Sequence, residues 1–590
     1  MNGHNVSPTE RFSGYLHKRA GDASSDKNAN AAVKSLSSYI MQVAHDELEQ
    51  LTIDLVSEKM DSSDAFEFWE DEYHVNKENP IFYFHDITRG IVPYCYAASA
   101  SDIFYRGRFY ADEYRSDPPK RFSTFMGQMA EFAMEMSQDH AGAIALPDIF
   151  VYGAKYFNSI EEIEMNLDGI KNAIQSFIFI VHNKFRIQGQ SPFTNITILD
   201  EPTMTEVFGI TDPDERARIK RIQEIYMWVH SAGCNGVPFR FPVTTMNFLS
   251  KDGKVVDESS LEDRLDDIAS GKYNIYVSND PRKFASCCRM INDVGVMYGI
   301  DSFGNGGVNV GSTRVVTLVL PNIAMRSYCG DEFSEESFIK NLKGYTELSC
   351  TALMAHREVL KDCVEAGLLK FFTAGIESLK KNYFSTVGFV GLWEAAKLLA
   401  GKSDDVYDVG EKEELILRTI KKVIEAYGKR HGVPFNSEEI PGESAAIDLA
   451  KATGAKWLSN QYVPLDLEYD LFDRINIAGK LDSLCTGGAI TFLNVNGKMS
   501  REHARVIVEL AVKHGMTHFA INPCITMCDD CDHKEWSKKA KCISCGSDNV
   551  DYMTRIIGYF VPVSRWRKER ADEFTTRKWT SVHKEIPETS

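Results

Sequence analysis

The densest group of reactive side chains is CITMCDDCDHKEWSKKAKCISCGS, residues 524–547. Cys528 and Cys531 form one CxxC pair, and Cys542 and Cys545 form a second after ten intervening residues. Each pair can present two thiolates on a tight turn, and together they make a tetrahedral four-sulfur site for zinc. Four thiolates leave no open position, so such a zinc is structural rather than catalytic. Cys524 and His533 lie close enough in sequence to replace one ligand. A second thiol group is FASCCRMIND, residues 284–293, with Cys287, Cys288 and Arg289 in a row. Read alone, it is either a thiol site or a pair of small buried hydrophobes. In IPGESAAIDLAKATG, residues 440–454, Pro441 and Gly442 set a turn into a helix. The free amides of Glu443, Ser444, Ala445 and Ala446 then suit an anion, although an ordinary cap has the same pattern. Finally, DYMTRIIGYFVPVSRW, residues 551–566, places Gly558 inside what otherwise reads as a strand. Glycine there loses entropy and packs nothing. It serves a bulge, a close backbone approach or its own chemistry. The glycine-rich stretch 299–316 lacks the Gly-Lys-Ser/Thr of a phosphate loop, which excludes that reading.

The elements that must position these groups alternate along most of the chain. Residues 28–60 repeat apolar positions every three or four residues, a helical pattern. In the segment 413–432, Leu415, Ile416, Ile420, Val423, Ile424 and Tyr427 share a face, with Gly428 and Gly432 as stop signals. Residues 500–515 run from an N-cap at Ser500 to Gly515, and 516–522 read as a buried strand. Short apolar runs at 142–153, 193–199, 239–248, 314–324 and 489–495 are strand-like. Helices and strands mixed without a composition break argue for one large α/β domain. Its C-terminal side carries the cysteine cluster and a basic tail, residues 564–581. A net charge of −18 over 590 residues gives no global basic footprint for nucleic acid. Residues 1–28 are polar, expected to be a flexible tail without signal-peptide character. The apolar run 176–181 is too short to span a bilayer. The expectation is a cytoplasmic protein whose 13 cysteines are thiols or metal ligands.

RIIGY, residues 555–559, resembles the Arg-x-x-Gly-Tyr signature of glycyl radical enzymes. Its place after a double CxxC is similar to the anaerobic, class III ribonucleotide reductases. KNANAAV (27–33), FYFHDI (82–87), SPFTNITI (191–198), FPVTTMNF (241–248), ASCCR (285–289), STVGFVGLWEA (385–395), IPGESAA (440–446), CTGGAI (485–490) and HFAINPCITMC (518–528) follow the same order. The resemblance implies an α/β fold, a ten-stranded barrel over residues 29–515. A zinc-binding region over 516–548 and a glycyl radical loop and tail over 549–590 would follow.

In that family a glycyl radical oxidises a cysteine, and the thiyl removes the ribose 3′-hydrogen. Loss of the 2′-hydroxyl as water and reduction follow, yielding deoxyribonucleotides as DNA precursors. By motif, Gly558 stores the radical, installed by a radical-SAM activase with an iron–sulfur cluster. Cys288 is the thiyl residue, with Cys287 the alternative, and Cys95 serves the reduction. Residues 442–446 cradle substrate phosphates, and Cys528, Cys531, Cys542 and Cys545 hold zinc. The implied substrates are ribonucleoside triphosphates, with dNTPs and ATP as specificity effectors of a homodimer.

Two places depart from the pattern. Formate-using members carry Met-Gly-Cys where this chain has Ser286, Cys287 and Cys288. They also carry paired asparagines where it has Gly311 and Ser312, leaving Asn309 as the candidate for that role. The reductant therefore stays open between formate and a thioredoxin- or glutaredoxin-like dithiol. No ATP-cone pattern is seen. Two alternatives remain: another glycyl radical enzyme, an acyltransferase or dehydratase, or a zinc-ribbon nucleic-acid-binding protein. The cysteines before the glycine and the 440–446 turn weigh against the first, and the acidic charge and large preceding domain weigh against the second.

Overall fold

A computed structural model describes residues 36–110, 114–183, 185–186, 191–233, 239–281, 283–285, 291–293, 309–370, 372, 375–440, 442, 445–555 and 558–581. Its centre is a 13-stranded sheet. The strands that matter for the site are β1 (Phe82–Phe84), β2 (Tyr96–Ala97), β3 (Ile144–Leu146), β4 (Asn195–Leu199), β5 (Val243–Lys251) and β6 (Asn274–Ser278). They are followed by β7 (Val310–Val319), β8 (Tyr383–Val390), β9 (Phe435–Glu439), β10 (Thr491–Asn496) and β11 (His518–Pro523). A short strand, Thr580–Ser581, pairs with the outer edge of β10.

The lateral order is β9-β8-β7-β2-β3-β4-β5-β6-β11-β10. Strands β2 to β6 are mutually parallel. Strands β7 to β9 are parallel to one another, as are β10 and β11. The two halves meet antiparallel at β2/β7 and β6/β11. The sheet is not closed. Its ends approach at one isolated bridge, Glu438–Gly488, with Gly487 N–H donating to the Ser437 carbonyl (2.7 Å). Gly487 and Gly488 lie before β10 begins, so β9 meets the entry to β10 and not its ladder. Of the expected ten-stranded barrel, the structure shows the strands β2 to β11 in one sheet that is not closed.

The strands are buried on both faces, which explains why they read as nearly continuous apolar or hydroxyl runs rather than alternating ones. The buried polar residues of the sheet join into hydrogen-bonded sets. Ser312 and Thr386 are 3.2 Å apart, and Thr386 donates to Asn436 (2.7 Å). Asn522 donates to Asn494 (2.8 Å).

Helices flank the sheet much as the periodicity predicts. The helix Val406–His431 is N-capped by Asp405 and ends at Gly432 in the left-handed region, so Gly428 is interior rather than a stop. The helix Arg501–His514 has Ser500 as its cap and Gly515 as its stop, as expected. The helix expected after Gly442 is shorter than its pattern suggests, one α turn (Ala445–Asp448) continuing as a 3₁₀ turn. Among the described residues no helix is long and apolar enough to cross a membrane.

Tight helix packing gives a first prediction. A side chain on Gly479 would overlap the His514 backbone carbonyl, whereas Gly127, also helical, has open space. Gly479→Ala is expected to destabilise by about 1–3 kcal/mol through overpacking. Gly127→Ala is expected to stabilise by up to about 1 kcal/mol. Denaturant unfolding of both variants measures the contrast.

Candidate active site and metal centre

Directly after β11 the chain forms a small antiparallel sheet. Its strands are Lys534–Glu535, β12 (Ile525–Cys528), β13 (Val550–Arg555) and β14 (Phe560–Pro562). β13 and β14 form a hairpin in which Arg555 pairs with Phe560. Gly558 therefore lies at a hairpin tip, and it is buried. This answers the sequence question: the glycine interrupts no strand but occupies the turn between two.

The tip is held from several sides. The Arg555 side chain is fully buried, and its guanidinium donates to the carbonyls of Gly271 (2.6 Å) and Ile521 (3.1 Å). Burial pushes its pKa down to about 9. The Arg555 amide and the Thr554 hydroxyl both donate to Asn522 of β11 (3.1 and 3.0 Å). Phe560 stacks beneath the Arg555 guanidinium at 4.2 Å. Tyr559 packs on Phe241 within an apolar cluster that includes Val243, Cys524, Val561, Val563, Trp566 and Phe574. Residues 556 and 557 lie outside the described residues.

The zinc expectation has a direct geometric test. The sulfurs of Cys528, Cys531, Cys542 and Cys545 all lie within 4.8 Å of one another. Cys528 and Cys545 are 3.6 Å apart, as are Cys531 and Cys542. Zn–S bonds of about 2.3 Å in a tetrahedron place sulfurs about 3.8 Å apart, so the four residues fit zinc. Each knuckle turns through a left-handed residue, Asp532 or Gly546. The Cys545 amide, with that of Ser544, pulls the Cys542 thiol down to about 6, favouring a thiolate ligand. Cys524 does not belong to the set. Burial raises its pKa to about 12, and it packs in the cluster around Tyr559. His533 contributes its carbonyl to the Cys528 amide (2.9 Å). Because β12 runs from the knuckles into the hairpin sheet, the metal centre and the Gly558 tip share one small framework.

Cys95 precedes β2 and accepts a hydrogen bond from the Ala143 amide (3.2 Å). A side chain at Gly142 would overlap its sulfur. Asn309, before β7, adopts φ 71°. Its side-chain oxygen accepts from Tyr96 Oη (3.1 Å) and from the Ser99 amide (3.0 Å), and its own amide donates to the Ala97 carbonyl (2.7 Å). Because this pairing is antiparallel, Asn309 sits beside Ala97 and Ser99 at the far end of β2, whereas Cys95 sits opposite Ser312 at its start. Sequence reasoning missed the buried arginines there. Arg314 donates to the Arg89 carbonyl (2.7 Å) and the His85 carbonyl (3.1 Å), and Arg186 to the Ala141 carbonyl (2.9 Å). Burial lowers the two arginines' pKa to about 10 and about 9. Arg314 was visible only as one charge inside a strand run, the signal that could have found it.

Cys287 and Cys288 lie outside the described residues. The hairpin Lys283–Ala285/Ile291–Asp293 that flanks them is described. It is pinned to the sheet at Ala285, whose amide donates to Asn247 of β5 (2.8 Å) and whose carbonyl accepts from Thr197 of β4 (3.0 Å). Glu443 and Ser444 also lie outside the described residues. Gly442 is buried with φ 55°, and Ala445 and Ala446 are buried beside it.

This arrangement defines a class by its fold. The structure of the anaerobic ribonucleotide reductase from Thermotoga maritima in complex with dATP and CTP superposes with TM-score 0.78 and 28% identity, covering 91% of this chain and 92% of that one. Another anaerobic ribonucleotide reductase gives 0.79 and 28%, covering 93% and 90%. The chain also resembles the anaerobic ribonucleoside-triphosphate reductase of Enterobacteria phage T4, 25% identical over 405 residues. That match covers 61% of this chain and 62% of the phage protein's length. The family model for anaerobic ribonucleoside-triphosphate reductase matches residues 44–579, and the chain belongs to this family.

The metal centre yields a second prediction. Cys531→Ser is expected to cut bound zinc from near one per chain to a small fraction, whereas Cys524→Ser retains it. Metal analysis after gel filtration distinguishes the two.

Proposed function

We propose that this chain reduces ribonucleoside triphosphates to 2′-deoxyribonucleotides without oxygen, by a radical stored on Gly558. Membership of the family supports this, and the observation that carries it is the buried Gly558 at the tip of a zinc-framed hairpin. A bare α-carbon lets an unpaired electron delocalise into both flanking amides. Burial among Tyr559, Phe560 and Val561 keeps it from water and oxygen.

In this reading a radical-SAM activase with an iron–sulfur cluster removes one α-hydrogen from Gly558. Gly558 then takes hydrogen from the Cys288 thiol, and the resulting thiyl takes the ribose 3′-hydrogen. The 2′-hydroxyl leaves with a proton as water. Cys95, held against the Ala143 amide, serves the reduction before the 3′-hydrogen is returned. Asn309, anchored to Ser99 and Tyr96, orients the reacting ribose. The amides of 442–446 receive the phosphates, helped by helix N-terminal polarity. Zinc, when bound, supplies no redox step and braces the hairpin. The ten strands β2 to β11, with β2 to β6 as one parallel five and β7 to β9 approaching β10 and β11 at Glu438–Gly488 as the other, support reading the sheet as the family's ten-stranded barrel.

That solved relatives carry dATP and CTP, one with dATP in its specificity site, supports CTP as a substrate and dATP as an effector here; a homodimer belongs to the same proposal. Two electrons per turnover come from formate or from a thioredoxin- or glutaredoxin-like dithiol. The buried placement of the Gly558 hairpin against the main sheet disfavours an independent nucleic-acid-binding ribbon.

Anaerobic activation with a radical-SAM partner, followed by CTP with formate or a reduced redoxin, tests the proposal. Product dCTP is expected with at least one reductant, and its absence with both overturns the reading. Gly558→Ala is expected to abolish the radical signal while zinc stays bound. Cys288→Ser is expected to keep the radical but form no dCTP. If Cys287→Ser is the inactive variant instead, the neighbouring thiol is the thiyl residue.

A further inference from the structure

Where β2 pairs with β7, three buried rings fix the surroundings of one half-buried amide, that of Asn309. The Tyr96 ring packs nearly parallel to those of His140 and Tyr383, with centroids 5.4 and 5.7 Å away. His140 Nδ1 meets the Met136 carbonyl (2.9 Å), which only accepts, so the ring proton sits there. Burial pushes the His140 pKa down to about 3, leaving Nε2 to accept from the Tyr383 hydroxyl (3.3 Å). On β7 the partner of Tyr96 is Gly311, and a side chain there would overlap the Tyr383 ring. The Tyr96 hydroxyl is thereby held where it donates to Asn309 Oδ1 (3.1 Å). Burial, with a lesser push from Asp102, raises its pKa above that of an ordinary phenol, so it stays a donor.

The same oxygen accepts from the Ser99 amide (3.0 Å). A backbone amide can only donate, so the atom it meets is the side-chain oxygen, and this sets which way the carboxamide faces. Ser99 is itself held by Asp148, which accepts from the Ser99 hydroxyl (2.6 Å) and the Ala100 amide (2.8 Å). The Asn309 backbone amide is tied to the Ala97 carbonyl (2.7 Å). Both lone pairs of Oδ1 are thus used, and the side-chain nitrogen has no partner among the described residues. One hydrogen bond leaves a carboxamide free to pivot about the bonded oxygen, and the second closes that motion. We propose that Tyr96 is a positioning residue for the reduction. With the Ser99 amide it occupies Asn309 Oδ1, so that Asn309 offers N–H donors rather than an acceptor to the hydroxyls of the bound ribose. The proposal rests on the functional reading above for the substrate and for the place of Asn309 beside it.

The test uses the full-length, zinc-loaded chain, activated anaerobically, with radical content, kcat and KM for CTP measured for each variant. Tyr96→Phe keeps the ring and loses only the hydroxyl. It is expected to keep the radical and leave KM little changed, while kcat falls about 10-fold, the worth of one neutral hydrogen bond. Tyr383→Phe loses a hydroxyl of the same ring group, but one bonded to His140, and is expected to leave kcat unchanged. In an Asn309→Ala background Tyr96→Phe is expected to cost nothing further, because the amide it holds is gone. A role in packing alone would repeat the loss there. Asn309→Asp keeps the acceptor for Tyr96 and Ser99 but turns the outward donor into an acceptor. It is expected to be at least as impaired as Asn309→Ala. Four results overturn the proposal: an undiminished kcat in Tyr96→Phe, an equal loss in Tyr383→Phe, a loss repeated in the Asn309→Ala background, or near wild-type activity in Asn309→Asp. A wild type that forms no dCTP with either reductant refutes the functional reading and this inference with it. An active wild type beside an undiminished Tyr96→Phe refutes this inference alone.

Discussion

The burial of the Arg555 guanidinium is the constraint on which much of the site depends. A buried cation is stable only when its donors meet acceptors. Here Nη1 donates to the backbone carbonyls of Gly271 and Ile521 and the guanidinium lies over the Phe560 ring, while Nε and Nη2 find no acceptor among the described residues. That requirement reaches back into the main sheet. Gly271 has φ 66°, and a side chain on it would lie 2.5 Å from Pro523 Cδ and 2.9 Å from the Ile521 carbonyl. The turn leading into β6 can pack against the end of β11 only because that residue is glycine. The junction at which the two sheet halves meet antiparallel is thus also where the Gly558 hairpin is anchored.

Around this anchor the small C-terminal framework works from two ends. At one end the four cysteines fix where β12 ends and β13 begins, and at the other Asn522 and Arg577 hold β13 where it ends. Between them the tip has little freedom to wander. On the proposed function the tip must meet a reacting thiol, which needs placement to a fraction of an ångström. The hairpin Lys283–Ala285/Ile291–Asp293 is treated alike, its base pinned at Ala285 by Thr197 and Asn247. Both hairpins are therefore hung from polar side chains of the same sheet, which explains why those strands bury so much Thr and Asn.

Much of this was legible in the sequence where the signal is local. The CxxC spacing named the four metal ligands because knuckle geometry is set within four residues. Ser500 and Gly515 bounded their helix for the same reason. Gly558 was flagged by its misfit to a strand, although its position in a turn depended on pairing of Arg555 with Phe560, which no local pattern shows. What depended on distant partners was misread or missed. Residues 564–581 read only as a basic tail, with nothing to show which charges turn inward. Arg570 and Arg577 are instead buried against Glu573, spaced at i+3 and i+4 in a way that equally describes a solvated helix. A ten-stranded barrel was expected from resemblance, and how β9 meets β10 turns on Gly487 and Gly488, whose register the sequence does not specify.

The central claim, that Gly558 carries the working radical, is tested most directly by electron paramagnetic resonance of the anaerobically activated chain made with glycine deuterated at the α-carbon. A glycyl radical keeps one α-hydrogen, so unlabelled protein is expected to give a doublet that collapses towards a singlet on deuteration. A signal that ignores the label, or one that persists in Gly558→Ala, would contradict the account.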